Sequence, residues 1–142
     1  MNLVGTWLCA LLTHKIVLLS VGGTIGTCAR YYVSIWIGAP AWARGFPVGT
    51  FVINVTGSFI LGAAAVIIRQ RLPPEYGYCY LLIGTGFCGG YTTFSTFAYE
   101  TFQLVNLGSW LLALANVVGS VIAGFAGVIL AVVLVNLLFP IR

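Results

Sequence analysis

Apolar runs long enough to cross a bilayer recur along this chain, and each is closed by a short polar or proline-containing stretch. A helix needs about 20 predominantly apolar residues to span the hydrocarbon core. Four segments meet that length, at residues 16–37, 47–68, 77–102 and 110–139. The first follows His14-Lys15. The second opens on Pro47, a residue tolerated in a first helical turn, and stops at Arg69-Gln70-Arg71 before the Pro73-Pro74 turn. The fourth ends at Pro140 and Arg142. Residues 1–14 carry an apolar run too short to span, with neither the basic start nor the small-residue cleavage site of a signal peptide. They read as an N-terminal extension ahead of one four-helix transmembrane domain, 15–142.

Composition sharpens that reading. The 142 residues are 61% hydrophobic and only 6% charged, with a mean hydropathy of +1.09. Too little polar surface exists to cover a soluble fold, so the class is an all-α membrane protein. The net charge of +4 comes from scattered basic residues that form no stripe suited to nucleic acid. They serve better as interface anchors. Lys15, Arg69, Arg71 and Arg142 fall on the side of the termini and Arg44 on the other, a bias small enough to leave both insertion orientations open. Cys9, Cys28, Cys79 and Cys88 lack metal-ligand spacing, and His14 is the sole histidine, so they read as buried reduced thiols. No Ser/His, Cys/His or paired carboxylates stand at usable spacing, which argues against an enzyme.

The third segment departs from its neighbours. Residues 84–100, GTGFCGGYTTFSTFAYE, carry four glycines and five Ser/Thr hydroxyls. Each glycine weakens a helix by about 1 kcal/mol relative to alanine. Gly89-Gly90 followed by Thr92-Thr93 therefore predicts a broken membrane helix. Broken backbone persists in lipid only where protein, a cavity or an ion covers it, which points to an ion site. Phe94 and Phe97 lie three apart, among Ser95, Thr96 and the two preceding threonines. Such a pair is ordinary core packing or, presented edge-on, a weak anion contact of the kind conduction needs. Glu100 is the one acid inside a span and lies near the interface or beside a basic partner.

The other spans carry their own polar positions. Arg30, after Gly22-Gly23-x-x-Gly26, costs about 2.5–3.5 kcal/mol at a helix centre; it either snorkels to the headgroups or sits in a wet vestibule gathering anions. Thr50, Asn54 and Ser58 are four apart on one stripe. They form an interhelix seam, at about 0.6 kcal/mol per contact, or line a hydrated path in which the Asn54 amide donates to an anion. Asn116 and Ser120 share a face of the fourth span with Gly124, again a polar track or a small-residue seam.

The segments GGTIGTCARYY (22–32), GTFVINVTGSF (49–59) and GFCGGYTTFSTF (86–97) resemble the Fluc (CrcB) fluoride channels. The likeness reaches all four predicted helices. It implies an antiparallel, dual-topology homodimer of four-helix subunits with a broken third helix, in the plasma (bacterial inner) membrane. It implies two passive fluoride pores and a structural Na⁺ at the dimer centre, held by the carbonyls of Gly89 and Thr92. Phe94 and Phe97 become pore aromatics and Asn54 the anion-facing amide. Ser95, Thr96, Thr50 and Ser120 become hydroxyl donors, and Arg30 the vestibule arginine. Asn116 stands where a tyrosine is often found in that family. The rival readings are a small multidrug/proton antiporter, which needs a membrane carboxylate and has only Glu100, and an accessory structural membrane protein.

Overall fold

A computed structural model describes residues 14–38 and 45–140. The N-terminal extension with Cys9, most of the loop bearing Arg44, and Arg142 lie outside the described residues. Helix α1 spans Lys15–Gly38. Helix α2 spans Val48–Val66 and continues as a π turn, Ile67–Arg71. Its helical path thus absorbs Arg69-Gln70-Arg71, three residues past the expected stop, and releases only at Leu72, whose extended backbone precedes Pro73. A short 3₁₀ turn, Pro74–Tyr76, leads into α3, Tyr78–Tyr80. A π-helical stretch, Leu81–Phe87, connects α3 to α4, Cys88–Tyr91. Helix α5 spans Phe94–Asn106 and α6 spans Trp110–Leu138. Gly108, at φ 73°, makes the turn between α5 and α6 in a backbone region that other residues rarely adopt.

Among the described residues, three helices are long and apolar enough to cross a membrane: Lys15–Ile37, Val48–Arg71 and Trp110–Leu138. The third segment is delivered in two pieces separated by Thr92 and Thr93. Helix α2 is central: it packs chiefly against α6, and also touches α1 and the third segment. Helix α1 lies along the stretch 81–91. The core is thin, with Ile53, Asn116 and Ala131 at 1% exposure or less. Large apolar side chains such as Trp36, Leu111 and Leu137 face outward. That surface would drive aggregation in water, but it matches acyl chains.

Lipid removes the hydrophobic drive that holds helices together in water, so close backbone packing must do that work. The α1 glycines show how. A Cβ added at Gly22 would collide with the Leu82 carbonyl, and one at Gly26 with the Phe87 carbonyl. Gly90, on the opposing helix, rests on the backbone of Gly23. The pair Gly89-Gly90 is itself helical; Gly90 serves close approach while the non-helical backbone falls on the two threonines that follow. Among the described residues Cys28, Cys79 and Cys88 are unpaired; of these only Cys88 is buried, while Cys28 is exposed.

Gly26→Ala sets a methyl against fixed backbone 2.9 Å from the Tyr91 nitrogen, and should destabilise by about 1–3 kcal/mol. Gly23→Ala meets only the Gly86 carbonyl at 3.9 Å and should be tolerated. Melting of the purified proteins, followed by loss of the monodisperse peak after heating, separates the two; equal melting would sink the packing account.

Candidate functional site

The site is assembled around two residues of extended backbone. Thr92 (φ −79°, ψ 159°) ends α4, and Thr93 (φ −150°, ψ 116°) precedes α5. The Thr92 N–H keeps its i−4 bond to the Cys88 carbonyl, but Thr93 loses its ladder bonds, and buried backbone polar groups need replacements. Asn54 on α2 provides them to Thr93. Its Nδ2 donates to the Thr93 carbonyl at 3.1 Å, and its Oδ1 accepts from the Thr93 N–H at 2.9 Å. The carboxamide reproduces the donor-acceptor pair of a peptide unit.

The flanking groups are also occupied. The Cys88 carbonyl accepts from both the Thr92 N–H at 2.9 Å and the Thr92 hydroxyl at 2.8 Å. The Thr93 hydroxyl caps α5, accepting from the Thr96 N–H at 3.2 Å and donating to the Thr96 hydroxyl at 3.0 Å, with Ser95 Oγ 3.3 Å away. Arg30 neither runs along the helix to the headgroups nor stands free: its Nη1 donates to the Thr92 carbonyl at 3.4 Å. Gly57 makes room beneath the threonines, since a Cβ there would strike Thr92 Cγ2.

Three clefts follow the Ser58-Asn54-Thr50 stripe of α2. The largest, about 480 Å³, is lined by Asn54, Ser58, Thr85, Gly89, Thr92 and Phe94, among others. On the far side of Thr93 a cleft of about 270 Å³ holds Arg30, Ser34, Thr50 and Thr96. A third, about 230 Å³, shares Ser34 and Thr50 and reaches Glu100. The stripe thus lines a succession of clefts passing the non-helical backbone. Ser58 contributes less than its position suggests, because its hydroxyl donates to the Asn54 carbonyl of its own helix at 2.7 Å. Glu100 is half-buried; its Oε2 has no hydrogen-bond partner, and the Thr50 hydroxyl lies beside its carboxyl.

Phe94 and Phe97 do share a face, ring centroids 5.7 Å apart and tilted by 43°. Phe94 is 80% exposed and borders the largest cleft, whereas Phe97 is half-buried and lines none of the three. Asn116 and Ser120 come together, but in a separate seam. Asn116 is fully buried; its Nδ2 donates to Thr101 Oγ1 at 2.8 Å, and its Oδ1 lies 3.4 Å from the Ser120 hydroxyl. Thr101 in turn donates to the Phe97 carbonyl at 2.8 Å. This relay ties α6 to α5 and spends the Asn116 amide on protein. Sequence reasoning passed over Thr101, although a hydroxyl one helical turn beyond Phe97 was the available signal. It also passed over Ser34, which borders two of the clefts.

No group of three or more His, Cys, Asp or Glu side chains that could hold a metal ion occurs among the described residues. Gly89 has nothing within 4 Å of its would-be Cβ, so its surroundings are open. The Thr92 carbonyl already receives Arg30 and offers a cation only its second lone pair.

Residues 17–132 match the profile of the family described as CrcB-like protein, Camphor Resistance (CrcB). The chain belongs to the CrcB family. It is a multi-pass membrane protein. A protein of Solibacter usitatus named Fluoride-specific ion channel FluC is 45% identical over 114 residues, covering 80% of this chain and 92% of the relative. Relatives of the same name from Roseiflexus sp. (44% over 116 residues, 82% and 92% covered) and Pyrococcus furiosus (43% over 121 residues, 85% and 95% covered) are comparably similar.

Asn54→Leu strips the Thr93 N–H and carbonyl of their partners, at about 1–3 kcal/mol for each buried orphan. Its melting temperature should fall well below that of Ser58→Ala, which removes only a bond within α2. A melting curve superimposable on the wild type would show that the carboxamide does not hold the interruption together.

Proposed function

We propose that this chain is a fluoride-selective channel that lets F⁻ leave the cell passively across the plasma membrane. The observation that carries the reading is the run of clefts along Ser58, Asn54 and Thr50 past Thr93, in a chain whose relatives bear the name of fluoride-specific channels. Fluoride is small, tightly hydrated and a strong hydrogen-bond acceptor. A narrow path lined by O–H and N–H donors replaces its water through charge-assisted bonds of about 1.5–3 kcal/mol each. Chloride is larger and gains less from the same donors. Asn54 retains one N–H beyond its bond to Thr93, and Thr50, Ser95 and Thr96 add hydroxyls close by. Phe94 offers a ring edge that attracts an anion without trapping it. Arg30, half-buried in the middle cleft, raises the local anion concentration.

The working unit in this reading is an antiparallel pair of subunits with two pores, each subunit crossing the membrane four times, the third time through the interrupted segment 78–106. Exposure of Phe94 and openness around Gly89 support a partner on that side. The Gly89 and Thr92 carbonyls would hold a structural Na⁺ between subunits, where its charge would neutralise the carbonyl-rich end of α4. Ser120 and Asn116 act at one remove, by fixing α6 against α5. A proton-coupled antiporter would place its chemistry on Glu100, which sits at the far end of the clefts.

Liposomes loaded with fluoride should release it rapidly, and retain chloride, once valinomycin and K⁺ relieve the charge build-up. Fluoride loss that needs no ionophore would replace the channel with proton-coupled transport. Phe94→Ile and Phe97→Ile should each cut the flux by an order of magnitude or more without dissociating the dimer; normal flux in both removes the rings from the path. Replacing Na⁺ by choline should lower the melting temperature of the wild-type dimer. Gly89→Ala meets nothing within its own chain, so a loss of that Na⁺ dependence in the variant reports on what lies outside it.

A further inference from the structure

A second cavity, sharing no lining residue with the three clefts, lies where α2 and α6 end together. It measures about 480 Å³ and is lined by Ile67, Gln70, Arg71, Leu72, Phe139 and Pro140. Both flanking helices are membrane spans, Val48–Arg71 and Trp110–Leu138, and the cavity is built from the end of the first and the residues just past both. It therefore sits where hydrocarbon gives way to headgroups. We propose that this cavity binds the phosphate of an anionic phospholipid headgroup, with Arg71 as its principal contact.

Arg71 is held in place but not neutralised. Its Nη1 donates to the Phe139 carbonyl and its Nη2 to Asn136 Oδ1, both uncharged acceptors. Its Nε is buried without an acceptor. Two of the guanidinium's five N–H donors are thus spent on fixing it. Among the described residues no carboxylate pairs with it, and Glu75 lies exposed on the turn beyond. A fixed, unneutralised guanidinium is preorganised for bidentate binding of a phosphate. Gln70 stands beside it as a further amide donor. A second cation is kept at this end of α2, since the Arg69 guanidinium lies 3.8 Å from the centroid of the Tyr80 ring.

The rest of the lining decides between a lipid and a free anion. Ile67, Leu72, Phe139 and Pro140 are apolar. Inorganic phosphate would have to shed water against hydrocarbon there, whereas the glycerol and first acyl carbons of a lipid fit that surface. Basic pockets between membrane helices at headgroup depth take anionic lipids for this reason.

Native mass spectrometry of the full-length protein, with phosphatidylglycerol, phosphatidylcholine or inorganic phosphate added, tests the proposal. The wild type should retain phosphatidylglycerol over phosphatidylcholine by about tenfold. Arg71→Gln should lose that preference, while Lys15→Gln, which removes an exposed charge at the start of α1, should keep it. Gln70→Glu leaves both Arg71 bonds in place and should also weaken phosphatidylglycerol retention, which guards against a misfolded Arg71 variant. Equal retention by wild type and Arg71→Gln, undiminished retention by Gln70→Glu, or displacement by millimolar inorganic phosphate each overturns it. Fluoride flux plays no part in this readout, so the proposal and the channel reading fail separately.

Discussion

Buried backbone that leaves helical geometry must find its hydrogen bonds elsewhere, and here one carboxamide from the neighbouring helix supplies them to Thr93. Both halves of the Asn54 amide are committed to Thr93. The bond pair does more than satisfy two groups. It fixes the register of α2 against the interruption, and with it the positions of Thr50 one turn away on one side and Ser58 one turn away on the other. An unsatisfied backbone group in lipid costs several kcal/mol, so this arrangement is strongly preferred over one in which α2 slides or rotates.

The same economy of contacts explains the packing. Where lipid is as apolar as the side chains, helices adhere through backbone proximity and polar seams. Helix α1 uses the first, seating Gly22 and Gly26 on the carbonyls of Leu82 and Phe87. Helices α5 and α6 use the second, through the chain of donors from Ser120 and Asn116 to Thr101 and the Phe97 carbonyl. Tyr91 combines both, its ring stacked on Phe87 and its hydroxyl 3.0 Å from Thr56. The wide π-helical turns at Leu81–Phe87 fall where α1 presses closest.

The interruption also sorts charge. Helix α4 ends in carbonyls and α5 begins with amides, so the two sides of one short extended stretch favour ions of opposite sign. Arg30 reinforces the asymmetry, donating to the Thr92 carbonyl while lining the cleft that holds Thr50 and Thr96. A site for an anion and a site for a cation can therefore be neighbours without any buried acid between them.

Much of this was legible in the residues alone. Length and apolarity dictate a helical membrane protein, because too little polar surface exists to cover a soluble fold. The glycines and hydroxyls of 84–100 mark where helical geometry lapses, though not that Gly89 and Gly90 remain helical while the threonines do not. Spacing by four places Thr50, Asn54 and Ser58 on one stripe, and Asn116 with Ser120 on another. Only the tertiary structure decided that Asn54 bonds the backbone of Thr93, that Arg30 turns to a carbonyl, and that Asn116 lies buried against Thr101. Periodicity reports which side chains share a face. The partner that the face meets depends on helix rotation and separation, set by contacts between segments far apart in the chain.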